Sequence, residues 1–392
     1  MSKASGAHFD AKKLNTAIKH LVLKITLEGS ISIANRFSQF ISGDKEQIYT
    51  YIDLYAGTGA FEEDNKNGSP IIALDSFFFQ QNTLNFKKTN LIFIEKDEER
   101  SKALEENIEG YMKTKGINHN LNILTLSGGW EEFLKILNKY ITQSTWGFIF
   151  ADPFSNEFDV EKFSEIFNQN KYGKNMLDIL IFVNMQDLRR CLAYEKTKQK
   201  VLNFLKIDEK YFTDGKESDY DDTIREALTQ RFSILNKDFN IGIAIPNSRE
   251  GHLTNSDYFY LVLLTNSTGV AKNFLESYVK AKQEFDRKPP KLFQESISDV
   301  IIDITREAKN ISLYEVVRNL FNRYLSWKDA DINEIPTDKN IQKALNEIIK
   351  KGIISANSID KDLLKIKGVE LKGEAFRNKT NQSKITLSIA ER

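Results

Sequence analysis

The stretch YIDLYAGTGAFEEDNKNGSPIIAL, residues 51–74, decides the fold of this chain. An apolar run ends in Ala-Gly-Thr-Gly, an acidic loop follows, and the chain restarts at Gly-Ser-Pro. Glycines placed directly after a strand let backbone amide groups approach a ligand closely, because they carry no side chain. The pattern is typical either of an ordinary glycine turn or of a pocket for a nucleotide-like cofactor.

The sequence around this loop alternates apolar runs with amphipathic segments. Near-continuous apolar strands that alternate with helices predict a parallel sheet covered on both faces. Two further runs, at 240–247 and 258–266, are joined by only a short loop, which suits an antiparallel pair. We therefore predict an α/β fold with a Rossmann-like sheet of the class I methyltransferase type, in which a closing antiparallel hairpin follows five parallel strands. The five predicted parallel strands are 48–56, 91–95, 121–126, 146–154 and 177–184.

The chain is long enough for two or three domains. The segment DRKPPK, residues 286–291, is a predicted linker, because two prolines cannot continue the preceding helix. Beyond it, three predicted helices precede strand candidates at 363–371 and 383–391. The predicted domains are N-terminal helices over 1–47, the sheet domain over 48–287 with a helical insertion at about 200–237, and a winged-helix-like α+β domain over 291–392.

Composition restricts the classes of function. With 55 basic and 55 acidic residues, no global field attracts nucleic acid or an anionic membrane, although residues 341–392 carry 11 Lys or Arg against 6 Asp or Glu. The single cysteine, Cys191, and four histidines give no disulfide within the chain and argue against a metal site. No charged-then-apolar leader and no long apolar run are present, so we expect a cytoplasmic protein with no membrane partner.

Chemistry-bearing residues follow the first, second and third strands. Ser69 and Pro70 are typical of an N-cap and a first helical residue, and a cofactor carboxylate could lie at that helix N-terminus. Glu95 ends the second strand, where an acidic side chain can accept hydrogen bonds from both hydroxyls of a ribose. After the third strand, Gly128 and Gly129 favour equally a main-chain contact with adenine and a plain helix-start turn. The predicted cofactor-binding residues are Asp53, Ala56, Gly57, Thr58, Gly59, Ser69, Glu95, Lys96, Gly128 and Gly129.

The fourth strand ends in Asp152-Pro153-Phe154. The carboxyl ends of strands one, two and four meet at the edge where open α/β sheets bind ligands, which favours S-adenosylmethionine as the cofactor over a structural sheet without a ligand. Methyltransferases acting on exocyclic amino groups use an Asp/Asn-Pro-Pro-aromatic stretch at this point. Asp152 would accept a hydrogen bond from the amine, Pro153 would fix the chain, and Phe154 would stack on a flipped base. The alternative is a strand end with a buried phenylalanine, and one proline of the motif is missing.

These stretches resemble a family, the three-Cys-motif partner proteins (TcmP), which are methyltransferase-like. The resemblance covers about residues 50–285 and includes LIFIEKDEER, FIFADPF and LIFVNMQDLRR. Thr58 stands where the family more often has proline, and Ser155 replaces a frequent glycine. The resemblance implies an S-adenosylmethionine-type fold and a partner, a separate protein with three cysteines that is encoded nearby. It also implies that a C-terminal helical or winged-helix extension is common, and it names no substrate.

Three functions follow from these observations. The first is methyl transfer to an amino group of DNA or RNA, with the C-terminal domain holding the polymer. The second is a non-catalytic subunit that docks its three-Cys partner. The third is methyl transfer to a small molecule. The winged-helix-like tail favours the first, and the missing second proline favours the other two.

Overall fold

The computed structural model describes most of the chain. The chain forms two compact units, Met1–Asn266 and Ser267–Arg392. No helix in the described ranges is both long and apolar enough to cross a membrane. The described residues are 4–38, 47–61, 66–80, 84–115, 121–141, 145–153, 158–168, 176–212, 217–249, 252–285, 297–308, 310–323, 338–351, 353–358, 364–365, 370–371, 376 and 379–389.

The first unit contains one mixed sheet with helices around it. Short 3₁₀ segments lie at Trp130–Phe133, Glu209–Phe212 and Ser233–Leu235. The elements are α1 Ala4–Ser38, β1 Ile48–Asp53, β2 Ala60–Phe61, β3 Lys66–Asn67, α2 Ser69–Gln80, β4 Lys88–Glu95, α3 Glu98–Lys115, β5 Leu121–Ser127, α4 Leu134–Tyr140, β6 Thr145–Ala151, α5 Val160–Asn168, β7 Met176–Asn184, α6 Met185–Ala193, α7 Glu195–Leu205, α8 Glu217–Phe232, β8 Phe239–Arg249 and β9 His252–Thr265.

The seven strands of this sheet lie in the order β5-β4-β1-β6-β7-β9-β8. The first five are parallel to one another, and β9 pairs antiparallel with both β7 and β8. This confirms the predicted five parallel strands and closing hairpin. The strand order changes direction at β1, which lies between β4 and β6, so the carboxyl ends of these three strands meet at one edge. That edge is where an open α/β sheet binds its ligands.

Three local features of the first unit differ from the sequence-based expectation. The described part of the predicted N-terminal helices, Ala4–Ser38, is one continuous helix instead of several. Residues on either side of the acidic segment pair as the β2–β3 ladder, next to which the Gly68 amide donates a hydrogen bond to the Gly59 carbonyl at 2.9 Å. Helix α2 begins at Ser69, and the Ile72 amide donates to the Gly68 carbonyl, so the capping position is Gly68. Ser69 and Pro70 therefore lie inside the first turn, and Ser69 is not the N-cap.

Helix α1 is fixed to the sheet by an apolar stripe and by the hydrogen bonds of Ser30. Its buried apolar residues recur every four or five positions, with Val22 and Leu23 adjacent, as expected for one helix face: Ile18, Val22, Leu23, Leu27 and Ile31. On the same helix, the Ser30 hydroxyl donates to Asp178 Oδ2 at 2.6 Å and lies 3.1 Å from the Tyr49 hydroxyl. Asp178 is buried and also accepts from Thr265. These bonds satisfy a carboxylate that would otherwise be unfavourable in the core.

The second unit combines helices with a small antiparallel sheet. Its three-stranded sheet has the order β10-β14-β11, while β12 and β13 form a separate ladder. The predicted strand at 383–391 is present as β14, which pairs with β10 and β11. The predicted linker, residues 286–291, lies outside the described residues. The elements are α9 Thr268–Phe285, α10 Ile297–Ala308, β10 Asn310–Ser312, α11 Leu313–Arg323, α12 Asp338–Lys350, β11 Ile354–Ser358, β12 Leu364–Lys365, β13 Glu370–Leu371, α13 Lys379–Ser383 and β14 Ile385–Ile389.

Gly147 sits where β6 passes between β1 and β7, and the sheet leaves no room for a side chain there. A Cβ atom at this position would lie 2.2 Å from the Thr50 carbonyl oxygen and 2.6 Å from Leu177 Cδ2. We expect Gly147→Ala to lower the free energy of unfolding by about 1–3 kcal/mol, as overpacked cores do. In Gly110→Ala, the control on the exposed face of α3, the new methyl group meets no atom, so this change should stabilise by about 0.5–1 kcal/mol. Urea denaturation measures both, and equal effects would contradict the packing argument.

Candidate active site

The two glycines of the loop after β1 differ in their surroundings: one faces open space and the other packs against a helix. Gly57 and Gly59 have φ angles of +62° and +78°, which side chains other than glycine rarely adopt. A Cβ atom on Gly57 would meet no atom within 4 Å, so the residue faces open space. A Cβ on Gly59 would lie 3.0 Å from Leu104 Cδ1 of helix α3. Of the two, Gly57 is therefore the residue whose missing side chain leaves room for a ligand.

The residues beside Gly57 hold the shape of the loop. The Ala56 amide donates to the Ile94 carbonyl at 2.9 Å, which ties the loop to β4. The Thr58 hydroxyl donates to the Ala60 carbonyl at 2.6 Å, and the Thr58 carbonyl accepts from the Asn107 side chain. These contacts fix the loop on both sides of the open space.

Glu95, at the end of β4, lies against the glycine loop. Its Oε2 atom accepts a hydrogen bond from the Gly57 amide at 2.8 Å, and its Oε1 atom accepts from the Asp97 amide at 3.0 Å. The side chain is nearly buried, whereas the next residue, Lys96, is exposed. The structure thus places two of the predicted cofactor-binding residues in direct contact, although they are 38 positions apart in the sequence.

The two glycines after β5 use their amide groups within the chain. The Gly128 amide donates to the Glu95 carbonyl at 2.9 Å, and the Gly129 amide donates to Glu132 Oε1 at 2.9 Å. Gly129 caps the 3₁₀ turn that begins at Trp130. This arrangement favours the helix-start turn over an amide contact with adenine. Gly128, with φ +144°, is still close enough to Glu95 to border the same site.

Asp53 ends β1 and is fully buried. It accepts hydrogen bonds from the Ser69 side chain and from the Tyr55 amide, the latter at 3.2 Å. Burial raises the pKa of Asp53 to about 7, because the charged form loses its hydration; the negative charge of Asp152 acts in the same direction. The hydrogen bonds to Ser69 and Tyr55 and the positive charge of Lys19 oppose this shift in pKa. Ser69 thus acts on Asp53 and does not cap α2.

The raised pKa of Asp53 predicts how stability depends on pH. Between about pH 4 and pH 7 the unfolded chain releases a proton that the folded protein keeps. The free energy of unfolding should therefore fall as the pH rises through this range, by as much as about 4 kcal/mol, and this contribution should stay constant above it. Asp53→Asn should remove this contribution and be more stable than the wild type at pH 8. Denaturation curves from pH 4 to pH 8 measure it.

Asp159→Asn is the matched control for this prediction, because it removes the same charge at an exposed position. The asparagine oxygen can still accept the hydrogen bond that the Lys162 backbone amide donates to Asp159. Its stability profile should follow that of the wild type. Parallel profiles for Asp53→Asn and the wild type would contradict the assignment of the pH dependence to Asp53.

Asp152 and Pro153 follow β6 directly, at the same sheet edge. The Asp152 side chain is 28% exposed, and Pro153 is buried. Phe154, the predicted stacking residue, lies outside the described residues. Asp152 Oδ2 accepts a hydrogen bond from the Nζ atom of Lys19 on α1. The Lys19 ammonium also lies 5.3 Å and 5.4 Å from the ring centroids of Phe182 and Phe259.

Sequence reasoning missed Lys19. The residue is 133 positions from Asp152, and nothing in its local sequence points to a site. The one available signal is its position beside Ile18 and three residues before Val22, at the border of the buried stripe of α1. A lysine at such a border is usually solvated, so this signal is weak.

A narrow apolar cavity lies beneath Pro153, between the ends of β6 and β7 and the helices that follow. It would admit about one water molecule, so it is not an acceptor pocket in this conformation. Its polar lining is limited to Asn184, which caps α6 by accepting from the Asp187 amide, and to Asp187 itself. The lining residues are Pro153, Phe158, Ile181, Val183, Asn184, Asp187, Leu188, Phe204 and Phe232.

Three carboxylates and one ammonium group characterise the site: Asp53, Glu95, Asp152 and Lys19. Within the described ranges, no group of three or more His, Cys, Asp or Glu side chains could hold a metal ion. Carboxylates with backbone amides suit hydrogen bonding to hydroxyl and amino groups. The arrangement can therefore hold a hydroxylated ligand at Glu95 and an amine at Asp152.

No protein-family model matches the sequence, so the resemblance to the three-Cys-motif partner proteins stays a prediction. None of the curated proteins compared with it matches either.

Comparison with solved structures finds partial superpositions, several of them on methyltransferases. A candidate methyltransferase from Porphyromonas gingivalis W83 has 18% identity and a TM-score of 0.21, over 42% of this chain and 34% of that one, so the match spans about a third of that protein. Protein LPL1258 from Legionella pneumophila str. Philadelphia 1 has 11% identity and a TM-score of 0.36, over 68% and 93%. Precorrin-6y C5,15-methyltransferase from Geobacter metallireducens GS-15 has 9% identity and a TM-score of 0.25, over 56% and 81%. At such TM-scores the superpositions carry no argument about activity.

Proposed function

We propose that this chain is an S-adenosylmethionine-dependent methyltransferase that acts on an amino group of nucleic acid, together with a three-Cys-motif partner. The observation that carries the proposal is the meeting of Gly57, Glu95 and Asp152 at the edge of the sheet where β1, β4 and β6 end. Each residue has a chemical property that this reaction requires, and each is supplied by a different strand end.

Gly57 and Glu95 are the residues that fit the cofactor. The open space at Gly57 can receive a ligand close to the backbone. Glu95 accepts one hydrogen bond at each carboxylate oxygen, and a carboxylate has about four acceptor positions, so it can also accept from ribose hydroxyls. S-adenosylmethionine supplies an electrophilic methyl group when bound. Asp53, buried behind the loop, holds Ser69 and the Tyr55 amide in place.

Asp152 is the residue that would orient the acceptor. An exocyclic amine needs orientation of its lone pair towards the methyl group more than it needs deprotonation. A hydrogen bond from the amine to a carboxylate oxygen would hold it in that orientation. Asp152 is partly exposed at the strand end, so an acceptor can reach it. Methyl transfer from labelled cofactor to bulk DNA, RNA and cell extract, with and without the three-Cys partner, tests the proposal. Absence of label in every fraction would contradict it.

The second unit supports a nucleic-acid acceptor. Helices α10, α11 and α12 with the antiparallel sheet β10-β14-β11 support the winged-helix-like domain that we propose, although β10 lies between the first two helices. Lys343, Lys350 and Lys351, on α12 and directly after it, are exposed. Lys365, Lys367 and Lys372 follow within the basic C-terminal segment. Lysines in this arrangement suit contacts with phosphate groups.

The salt dependence of binding tests this role. We expect the affinity for DNA or RNA to fall steeply with salt, with a log–log slope of about one per phosphate contact. Replacing Lys343, Lys350 and Lys351 by glutamine should lower that slope by up to about three. The control replaces three exposed lysines of the first unit, Lys102, Lys113 and Lys139, and should leave the slope unchanged. Binding that is insensitive to salt, or equal effects of both triple variants, would favour a protein-docking module instead.

One observation favours the alternative of a non-catalytic subunit. Asp152 Oδ2 already accepts from Lys19, so one oxygen of the proposed acceptor site has a partner inside the chain. In that case the pocket is structural and the chain recruits its three-Cys partner. Calorimetry with S-adenosylmethionine separates the two functions, because a chain that does not bind the cofactor cannot be the methyltransferase.

A further inference from the structure

We propose that Lys19 is a self-methylation site, because its side-chain nitrogen occupies the position of the acceptor amine beside Asp152. The inference rests on the proposed methyl transfer but adds a modification site within the chain itself. Lys19 Nζ donates to the same Asp152 carboxylate that would orient an acceptor. A primary amine is thus already held at the residue that selects amines.

The surroundings of Lys19 resemble a binding site for an amine more than a surface ion pair. The side chain is only 11% exposed, and its nitrogen lies near the rings of Phe182 and Phe259. Aromatic rings with a carboxylate are the groups that bind ammonium and methylated ammonium groups. Added methyl groups would therefore remain in favourable contact with the two rings after transfer.

The position of Lys19 relative to the cofactor residues also supports the inference. Asp53 experiences the charges of both Lys19 and Asp152, so the ion pair lies close to the end of β1. The glycine loop that begins after Asp53 is the proposed cofactor site. Helix α1 is fixed along the sheet by the Ser30–Asp178 bond, eleven residues from Lys19, so the lysine has a defined place at this edge.

The reaction balances without a further reagent. The Lys19 ammonium group loses one proton, by way of Asp152, to water. The nitrogen lone pair then forms a bond to the methyl carbon of S-adenosylmethionine, and the carbon–sulfur bond breaks with its electrons on sulfur. The products are methyl-lysine, S-adenosylhomocysteine and one proton. Asp152 orients the nitrogen and passes on the proton.

Mass spectrometry of the full chain after incubation with methyl-labelled S-adenosylmethionine tests this directly, since no external substrate is needed. We expect label on the peptide that contains Lys19, loss of that label in Lys19→Arg and Asp152→Asn, and unchanged label in Lys24→Arg. Lys24 is the matched control, because it is an exposed lysine on the same helix. Cofactor binding by calorimetry with no label on Lys19 would overturn the inference and leave the proposed function standing. Absence of cofactor binding would overturn both.

A second measurement needs no cofactor. In the wild type, Lys19 should react several-fold more slowly than Lys24 with an amine-acetylating reagent, because its nitrogen is paired and shielded. Asp152→Ala should raise the reactivity of Lys19 and leave that of Lys24 unchanged. Equal reactivity of the two lysines in the wild type would show that Lys19 does not occupy the acceptor position, and would overturn the inference.

Discussion

Asp152→Ala should abolish methyl transfer and leave cofactor binding intact. The variant loses the only side-chain oxygens that the described part of the site offers to an acceptor amine at the end of β6. Misplacing a reacting group by about 1 Å can reduce a rate by about 100-fold, and losing the orienting group altogether should reduce it at least as much. Labelled methyl transfer measures the rate, and calorimetry measures the binding of S-adenosylmethionine.

Asp152→Asn separates orientation from proton removal. The amide keeps a side-chain oxygen that accepts a hydrogen bond but cannot take a proton. If Asp152 only orients an exocyclic amine of nucleic acid, Asp152→Asn should retain a measurable part of the transfer to that acceptor. Self-methylation of Lys19 should still be lost, because the ammonium group must give up a proton. Transfer to nucleic acid that is equal in Asp152→Ala and the wild type would show that Asp152 has no part in catalysis.

Gly57→Val should abolish binding of S-adenosylmethionine. The branched side chain would enter the open space that faces Gly57, and its φ angle of +62° is unfavourable for any residue with a Cβ atom. The strain should lower the free energy of unfolding by about 1–2 kcal/mol, which leaves the fold largely intact. Calorimetry measures binding, and thermal unfolding without ligand measures the fold.

Gly57→Ala is the matched control, because it carries the same backbone strain with only one methyl group. It should bind more weakly than the wild type but more tightly than Gly57→Val. Glu95→Ala tests the neighbouring residue, since it removes the carboxylate proposed for the ribose and leaves the amides of Gly57 and Asp97 without that acceptor. If Gly57→Val and Glu95→Ala both bind S-adenosylmethionine with wild-type affinity, the cofactor site is assigned to the wrong place.

The sheet could be predicted from the sequence because most of its strands are buried apolar runs, whereas β5 is only half-buried. Ile92 and Phe93 of β4, and Phe148 and Ile149 of β6, are fully buried, as expected for neighbouring residues of strands that are covered on both faces. The short strands β10 and β11 escaped prediction, since three to five residues with serine and asparagine carry no such signal. They form because each pairs with β14, a strand that lies further along the chain.

Much of the candidate site could be predicted as well, because it follows strand ends. The glycine loop, Glu95 and Asp152 each lie at the end of a recognisable strand. Because the carboxyl ends of parallel strands lie at one edge of the sheet, these residues are expected near one another. The roles of Ser69 and Lys19 could not be predicted. Ser69 hydrogen-bonds to Asp53 because α2 begins one residue earlier than its cap pattern indicates, and Lys19 reaches Asp152 only through the packing of α1.

The bond between Ser30 and Asp178 has a consequence for dissecting this protein into fragments. A fragment that starts at β1 would include the whole sheet but would leave the buried Asp178 carboxylate and the Tyr49 hydroxyl without Ser30. A buried polar group that loses its partner lowers the free energy of unfolding by about 1–3 kcal/mol. The sheet would also lose its contacts with the buried apolar residues of α1. A fragment of the first unit should therefore begin before Ile18, because a boundary chosen from the strands alone removes the helix that packs on the sheet.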